Sequence, residues 1–184
     1  MRSSGHVFAQ KFVLWKTEAF FHPAYVNDLA QADFYFEYES EGCGMAAAIR
    51  NCAGGVVFSA EEIFLLKNDK GEWVLPKGVI RDKSVPREVA LARVEAEAGI
   101  RAQIIAPAGD TRYEFYSQTR RKSVCNRIQW FAMTAESKSY RIAFEQGFLD
   151  GDYYPLARAL ELISHEQDAD IIRKAWEIYQ QSKS

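Results

Sequence analysis

The stretch from Trp73 to Ile100 leaves the backbone less freedom than any other part of the chain. Trp73-Val74-Leu75 reads as a short strand, Pro76-Lys77-Gly78 ends it, and a polar loop runs on through Lys83. A helix is then expected from Val85 to Ala98, started by Pro86 in its first turn, where a missing N–H costs nothing, and stopped by Gly99. Strand, loop and helix bounded by a glycine at each end require a sheet for the helix to pack on, and the rest of the chain has to supply it.

The flanks offer strands at suitable spacing. Ala53–Phe58 and Ile63–Lys67 are short apolar runs joined by a polar turn at Ser59–Glu62. Arg112–Ser117 and Asn126–Met133 flank a basic turn at Gln118–Ser123 and read as a hairpin. The C-terminal segments Pro155–Ile163 and Asp168–Gln181 carry apolar residues at three and four spacing, with Ile171, Ile172, Ala175, Trp176 and Tyr179 forming the second stripe. The expected fold is α/β (α+β): an α/β/α sandwich around a mixed β-sheet over residues 49–184. Residues 1–48 read as an aromatic-rich N-terminal extension with candidate strands at Val7–Trp15 and Phe34–Tyr38, suited to packing on the sheet or on a second copy in a homodimer, or alternatively to stacking on bases.

Bulk properties exclude several classes. A formal charge of −2 gives no global attraction for polyanions, so phosphate or RNA binding requires a local cluster of cations. No window is apolar enough to span a bilayer, and no signal-peptide core follows the N-terminus. Cys43, Cys52 and Cys125 are odd in number and lack Cys-x-x-Cys spacing, which speaks against a disulfide framework or a cysteine zinc site and for a reducing cytoplasm. Cys52 and Cys125 read as small apolar strand residues, and His6, His22 and His165 are too scattered to share a metal.

The segment from Gly78 to Ile100 resembles the Nudix box, G-x5-E-x7-R-E-U-x-E-E-x-G-U with U aliphatic, in its length, its two glycines and its helix. Ala53-Gly54-Gly55-Val56 and the Trp73-Val74-Leu75-Pro76-Lys77-Gly78 entrance are similar to the branch that hydrolyses diadenosine and diphosphoinositol polyphosphates. That resemblance implies a Nudix fold and a phosphate-containing ligand. Anchored on the two glycines, Gly78, Val94, Glu97, Gly99 and Ile100 match. Ser84 replaces the loop glutamate, Ala92 the arginine, and Arg93 and Ala96 two further glutamates. Arg87-Glu88-Val89 imitates part of the motif five residues too early, and Glu88 and Glu95 lie nearly opposite Glu97 on the helix.

These losses bear on the chemistry. In the family, glutamates three and four residues apart gather Mg2+ or Mn2+, which polarises the pyrophosphate and activates water. Here that face offers Arg93, Ala96 and Glu97. A guanidinium about 5 Å from a divalent ion is repelled by roughly 6 kcal/mol at an effective dielectric of about 20. The expected function is therefore binding of a nucleotide, polyphosphate or RNA end, with metal-dependent hydrolysis lost or much weakened. Lys77, Gly78 and Arg93 are candidate ligand contacts, Arg93 reading equally as a solvated surface residue, and Arg50, Lys67 and Arg127 are further candidates. No cofactor is implied unless the protein is an active hydrolase, the alternative reading, in which Glu97 binds metal and Glu114 or Glu145 completes a relocated set. A further alternative is a partner-binding module. The tip Arg120-Arg121-Lys122, with Arg127 and the aromatics Tyr113, Phe115, Tyr116 and Trp130, reads as a solvated basic turn or as an RNA contact.

Overall fold

The computed structural model describes residues 48–81, 84–117 and 121–183. The readings for the N-terminal extension, Cys43 and Arg120 lie outside these residues.

The order is β1 (Ala48–Ser59), β2 (Glu62–Asn68), β3 (Trp73–Val74), β4 (Lys77–Val79), α1 (Pro86–Ala98), β5 (Ala102–Ser117), β6 (Lys122–Ala135), β7 (Phe148–Pro155), α2 (Leu156–Leu162) and α3 (Glu166–Gln181). The sheet runs β3-β2-β1-β6-β5, with β4 added to β1 and β7 to β2. It is mixed: β1 pairs in parallel with β6 from Ala48↔Val124 to Phe58↔Thr134, whereas the remaining pairings are antiparallel.

Alternation along the strands divides the core in two. Val56, Phe58, Ile63, Leu65, Ile128, Trp130 and Ala132 pack with Ala159 of α2 and with Ile171, Ile172, Ala175 and Tyr179 of α3. Their neighbours Ala53, Val57, Phe64, Leu66, Phe131 and Met133 pack on the opposite face with Ala90, Val94 and Ala98 of α1. Each fully buried aliphatic side chain stabilises the fold by about 1.5–3 kcal/mol. The two layers thus hold α1 on one side and α2 and α3 on the other, the expected sandwich. Among the described residues, no helix is long and apolar enough to cross a membrane.

The structure extends several sequence readings. β5 begins at Ala102 rather than Arg112, and its register shifts around Ile104/Ala106 and Pro107/Gly109. Such irregularities let an edge strand tolerate proline and hide its periodicity. Pro76-Lys77-Gly78 was expected to be a loop at a helix start. Instead Lys77–Val79 is a strand registered against Cys52–Gly54, because the backbone groups of β1 need partners where β2 has turned away. Cys125 is disulfide-bonded, a correction to its reading as an unpaired apolar residue, while Cys52 is a free buried thiol.

Candidate functional site

The site forms where α1 crosses the edge strand β4. Val85 caps α1 with no side-chain hydrogen bond, Pro86 opens it, and Gly99 closes it in the left-handed conformation at φ 64°. The Gly99 N–H donates to Glu95 O at 2.8 Å. The carbonyls of the last turn would otherwise lack partners. Arg141 N donates to Ala98 O at 2.7 Å, Ala143 N to Glu97 O at 3.0 Å, and Gln146 Nε2 to Ala96 O at 3.1 Å. These bonds fix the turn carrying Glu97.

Arg93 and Glu97 stand one turn apart on the side of α1 that meets β4. The Arg93 Nη1 lies 3.9 Å from Glu97 Oε1, and the Lys77 backbone N–H donates to Glu97 Oε2 at 3.3 Å. A methyl group placed on Gly78 would overlap Arg93 Cγ, Cδ and Nε, so the glycine is the groove in which the arginine stem lies. Gly54 serves β4 similarly, since a side chain there would collide with Trp130, Pro76 O and Lys77 Cβ. Only 6% of Glu97 is exposed. Burial pushes its carboxyl up to about 7, although Arg93 and Lys77 pull the other way.

Behind β4, on the α3 face, lies a second polar group. Arg50 Nε donates to Asn126 Oδ1 at 2.7 Å, and Asn126 Nδ2 donates to the Tyr113 hydroxyl at 2.6 Å. These three residues stand in register across β1, β6 and β5. Arg50 also lies 5.3 Å from the Phe115 ring centroid. Burial raises the Cys52 thiol, and the charges of Arg50, Lys77 and Arg93 oppose that rise. Asp168, in the first turn of α3, is raised by burial and opposed by Lys77 and His165.

The structure therefore brings Lys77, Gly78, Arg93 and Glu97 together, whereas Arg50 is held by Asn126 and Phe115 on the α3 face. It does not gather the other candidates there. Lys67 lies over the Trp73 ring at 5.8 Å, and Arg127 is exposed in register with Asn51 and Arg112. Glu114 is half-buried on β5 opposite Cys125, and Glu145 is exposed in a 3-10 turn at Phe144–Gln146. Glu95 turns outward to Arg101 at 3.4 Å, and Ser84, Ala92 and Ala96 are exposed.

Among the described residues, no three His, Cys, Asp or Glu side chains are placed to hold a metal ion. A single buried acid, already occupied by a guanidinium and an amide N–H, does not fit a strongly hydrated divalent cation.

Sequence reasoning missed Asp168, Asn126 and Thr111. Asp168 precedes Ile171 and Ile172 by three and four residues, and Asn126 precedes Ile128 by two, so each lies on a buried stripe that could have been extended to include it.

Solved structures share this architecture. A NUDIX hydrolase from Nitrosomonas europaea is 14% identical, with 73% of each chain covered and a TM-score of 0.57. A C. elegans Ap4A hydrolase binary complex is 13% identical over 72% of this chain and 98% of that one, with a TM-score of 0.57. The E. coli dihydroneopterin triphosphate pyrophosphohydrolase is 13% identical over 69% and 96%, with a TM-score of 0.58. At such identities the likeness is one of fold. The NUDIX domain family model matches residues 45–175. With a strand, loop and helix bounded by Gly78 and Gly99 set into a mixed sheet between two helical layers, the chain belongs to the NUDIX domain family.

Proposed function

We propose that the protein binds the phosphate groups of a nucleotide, a polyphosphate or an RNA end through Lys77, Arg93 and Arg50, and that metal-dependent hydrolysis at this site is lost or much weakened. The observation that carries this reading is the Arg93 side chain laid across Gly78 and paired with the single buried acid Glu97. A fixed guanidinium there supplies positive charge to a phosphate without an ion and repels one that approaches.

The test is a thermal-shift titration with tripolyphosphate and nucleoside diphosphates, each with and without magnesium. A shift that does not need magnesium is expected, since a ligand of the folded state raises its melting temperature by mass action. Magnesium-dependent release of nucleotide from dinucleoside polyphosphates, abolished by Glu97→Gln, would overturn the reading.

One observation favours a second reading. The segment carrying Glu145 is hydrogen bonded to the last turn of α1, through Ala143 N to Glu97 O and Gln146 Nε2 to Ala96 O, which supports recruitment of that acid. In that case the protein is an active pyrophosphohydrolase with relocated ligands. Manganese binding measured by calorimetry in the presence of a non-hydrolysable polyphosphate would then be detectable and would disappear in Glu145→Gln.

A further inference from the structure

The face of the sheet that carries α1 continues past the helix. Gly78 lies opposite Ala53, whose side chain packs in the layer of α1, so Asn51, two residues earlier on β1, points to that same face. Asn51 is in register with Arg127 of β6, and Arg127 with Arg112 of β5. Paired residues share a face, so the three side chains form a row across three strands, and all three are exposed. From strand spacing and rise, Arg127 lies about 12 Å and Arg112 about 16 Å from the Gly78 groove along the sheet.

Charge sets this row apart. Two arginines directly opposite one another on neighbouring strands repel, an arrangement that weakens a sheet. Among the described residues no ion pair or side-chain hydrogen bond relieves either of them; Asp110 and Glu114 flank Arg112 on the same face, and neither pairs with it. Arg87, exposed in the first turn of α1, adds a third cation to this face, with its guanidinium 6.0 Å from the centroid of the Phe131 ring. Tyr116 stands four residues beyond Arg112, hence on the same face, and is 45% exposed. In a chain of net charge −2, unpaired positive charge beside an open aromatic ring is thus concentrated on one strip of sheet.

We infer that the row Asn51, Arg127 and Arg112, with Tyr116 beside it, holds the backbone of a single-stranded RNA that leads away from the Gly78–Arg93 site. The choice of ligand rests on the phosphate-binding reading above, because of the ligands named there only an RNA end has further phosphodiesters to place outside the terminal site. A phosphate set between the two guanidiniums accepts hydrogen bonds from both and turns their repulsion into attraction. The Tyr116 ring gives an unpaired base a surface to stack on, a surface a duplex has no free base to use. The Asn51 amide is both donor and acceptor, which suits the 2′-hydroxyl of RNA and finds no counterpart in DNA.

Fluorescence anisotropy of a short labelled oligouridylate on the full chain, titrated at several salt concentrations, tests this. Arg112→Gln/Arg127→Gln is expected to bind about tenfold more weakly and to lower the slope of log affinity against log salt by about 1.4, the loss of two backbone contacts to a single strand. Arg158→Gln/Arg173→Gln removes the same charge from α2 and α3 and should leave both quantities as in wild type. Tyr116→Ala should weaken binding about tenfold with the slope kept, and Asn51→Ala should narrow the preference of wild type for RNA over the matching DNA. Without ligand, Arg112→Gln/Arg127→Gln should melt at or above wild type, since a repulsive pair is gone. An equal loss in the two double variants, or equal binding of RNA and DNA by wild type, would overturn the inference. Calorimetry with tripolyphosphate separates it from the reading it rests on. If wild type binds tripolyphosphate but RNA binds both double variants equally well, the row falls and the phosphate site stands. If wild type does not bind tripolyphosphate, that reading falls and takes with it the path leading from the Gly78–Arg93 site.

Discussion

Replacing Glu97 by glutamine tests the interior of the site without touching its cations. Burial raises this carboxyl from 4.5 in the unfolded chain to about 7 in the folded one. The folded state therefore holds a proton that the unfolded state releases over this range. Stability from this group is full below about pH 4.5, falls as pH rises, and is lost above about 7. At about 1.4 kcal/mol per tenfold change in acidity, the loss amounts to ~3 kcal/mol. Glutamine retains an acceptor for the Lys77 N–H and forgoes an ion pair with Arg93 that is worth about 0.3–0.5 kcal/mol at this helical spacing. Glu97→Gln should thus gain about 2–3 kcal/mol over wild type at pH 8 and almost nothing at pH 4.5. Urea unfolding of both proteins at several pH values reads the difference, and groups common to both, such as Asp168, cancel. A variant less stable than wild type at pH 8, or a difference that does not change with pH, would refute the claim that Glu97 is a desolvated, isolated acid. So would a stabilisation by magnesium that wild type shows and the variant lacks.

Two further outcomes follow from contacts at the site and behind it. Gly78→Ala should expel the Arg93 stem from its groove, cost about 1–3 kcal/mol in urea unfolding and weaken tripolyphosphate binding about tenfold. In an Arg93→Ala background the same glycine change should cost much less, a non-additivity that a double-mutant cycle measures directly. Thr111→Val should strand the buried Trp130 Nε1–H, which donates to Thr111 Oγ1 at 2.8 Å. The expected cost is about 1–3 kcal/mol, and calorimetric melting would show it as a drop of several degrees.

The helix at the centre of the site was legible because its ends are covalent facts: a proline that cannot donate at the start, and a glycine that adopts φ 64° at the stop. The stripe of α3 was legible for the same local reason, a spacing that only a helix places on one face. β4 and β7 were not legible. Lys77–Val79 is a strand only because β1 has unsatisfied backbone groups beside it, and three residues carry no period. Phe148–Pro155 interrupts its pattern with Gly151, which is required because a side chain there would lie 2.6 Å from Ile142 Cδ1. At the site, the register of the two glycines identified Arg93 and Glu97 as neighbours, and they are. That Lys67 and Arg127 lie elsewhere depended on which strands adjoin, a property of the whole sheet rather than of any segment.

The parallel pairing of β1 with β6 also governs when the site can come into being. Arg50 and Asn126 are separated by 76 residues yet share a hydrogen bond across that seam. As the chain leaves the ribosome, β1, β2 and α1 emerge first, with one flank of β1 bare until β6 is made. Distant pairings of this kind are slow to close and expose apolar strand edges meanwhile. A truncation before Ala135 would accordingly leave the arginine-bearing helix complete in its own residues but without half of the sheet on which it rests.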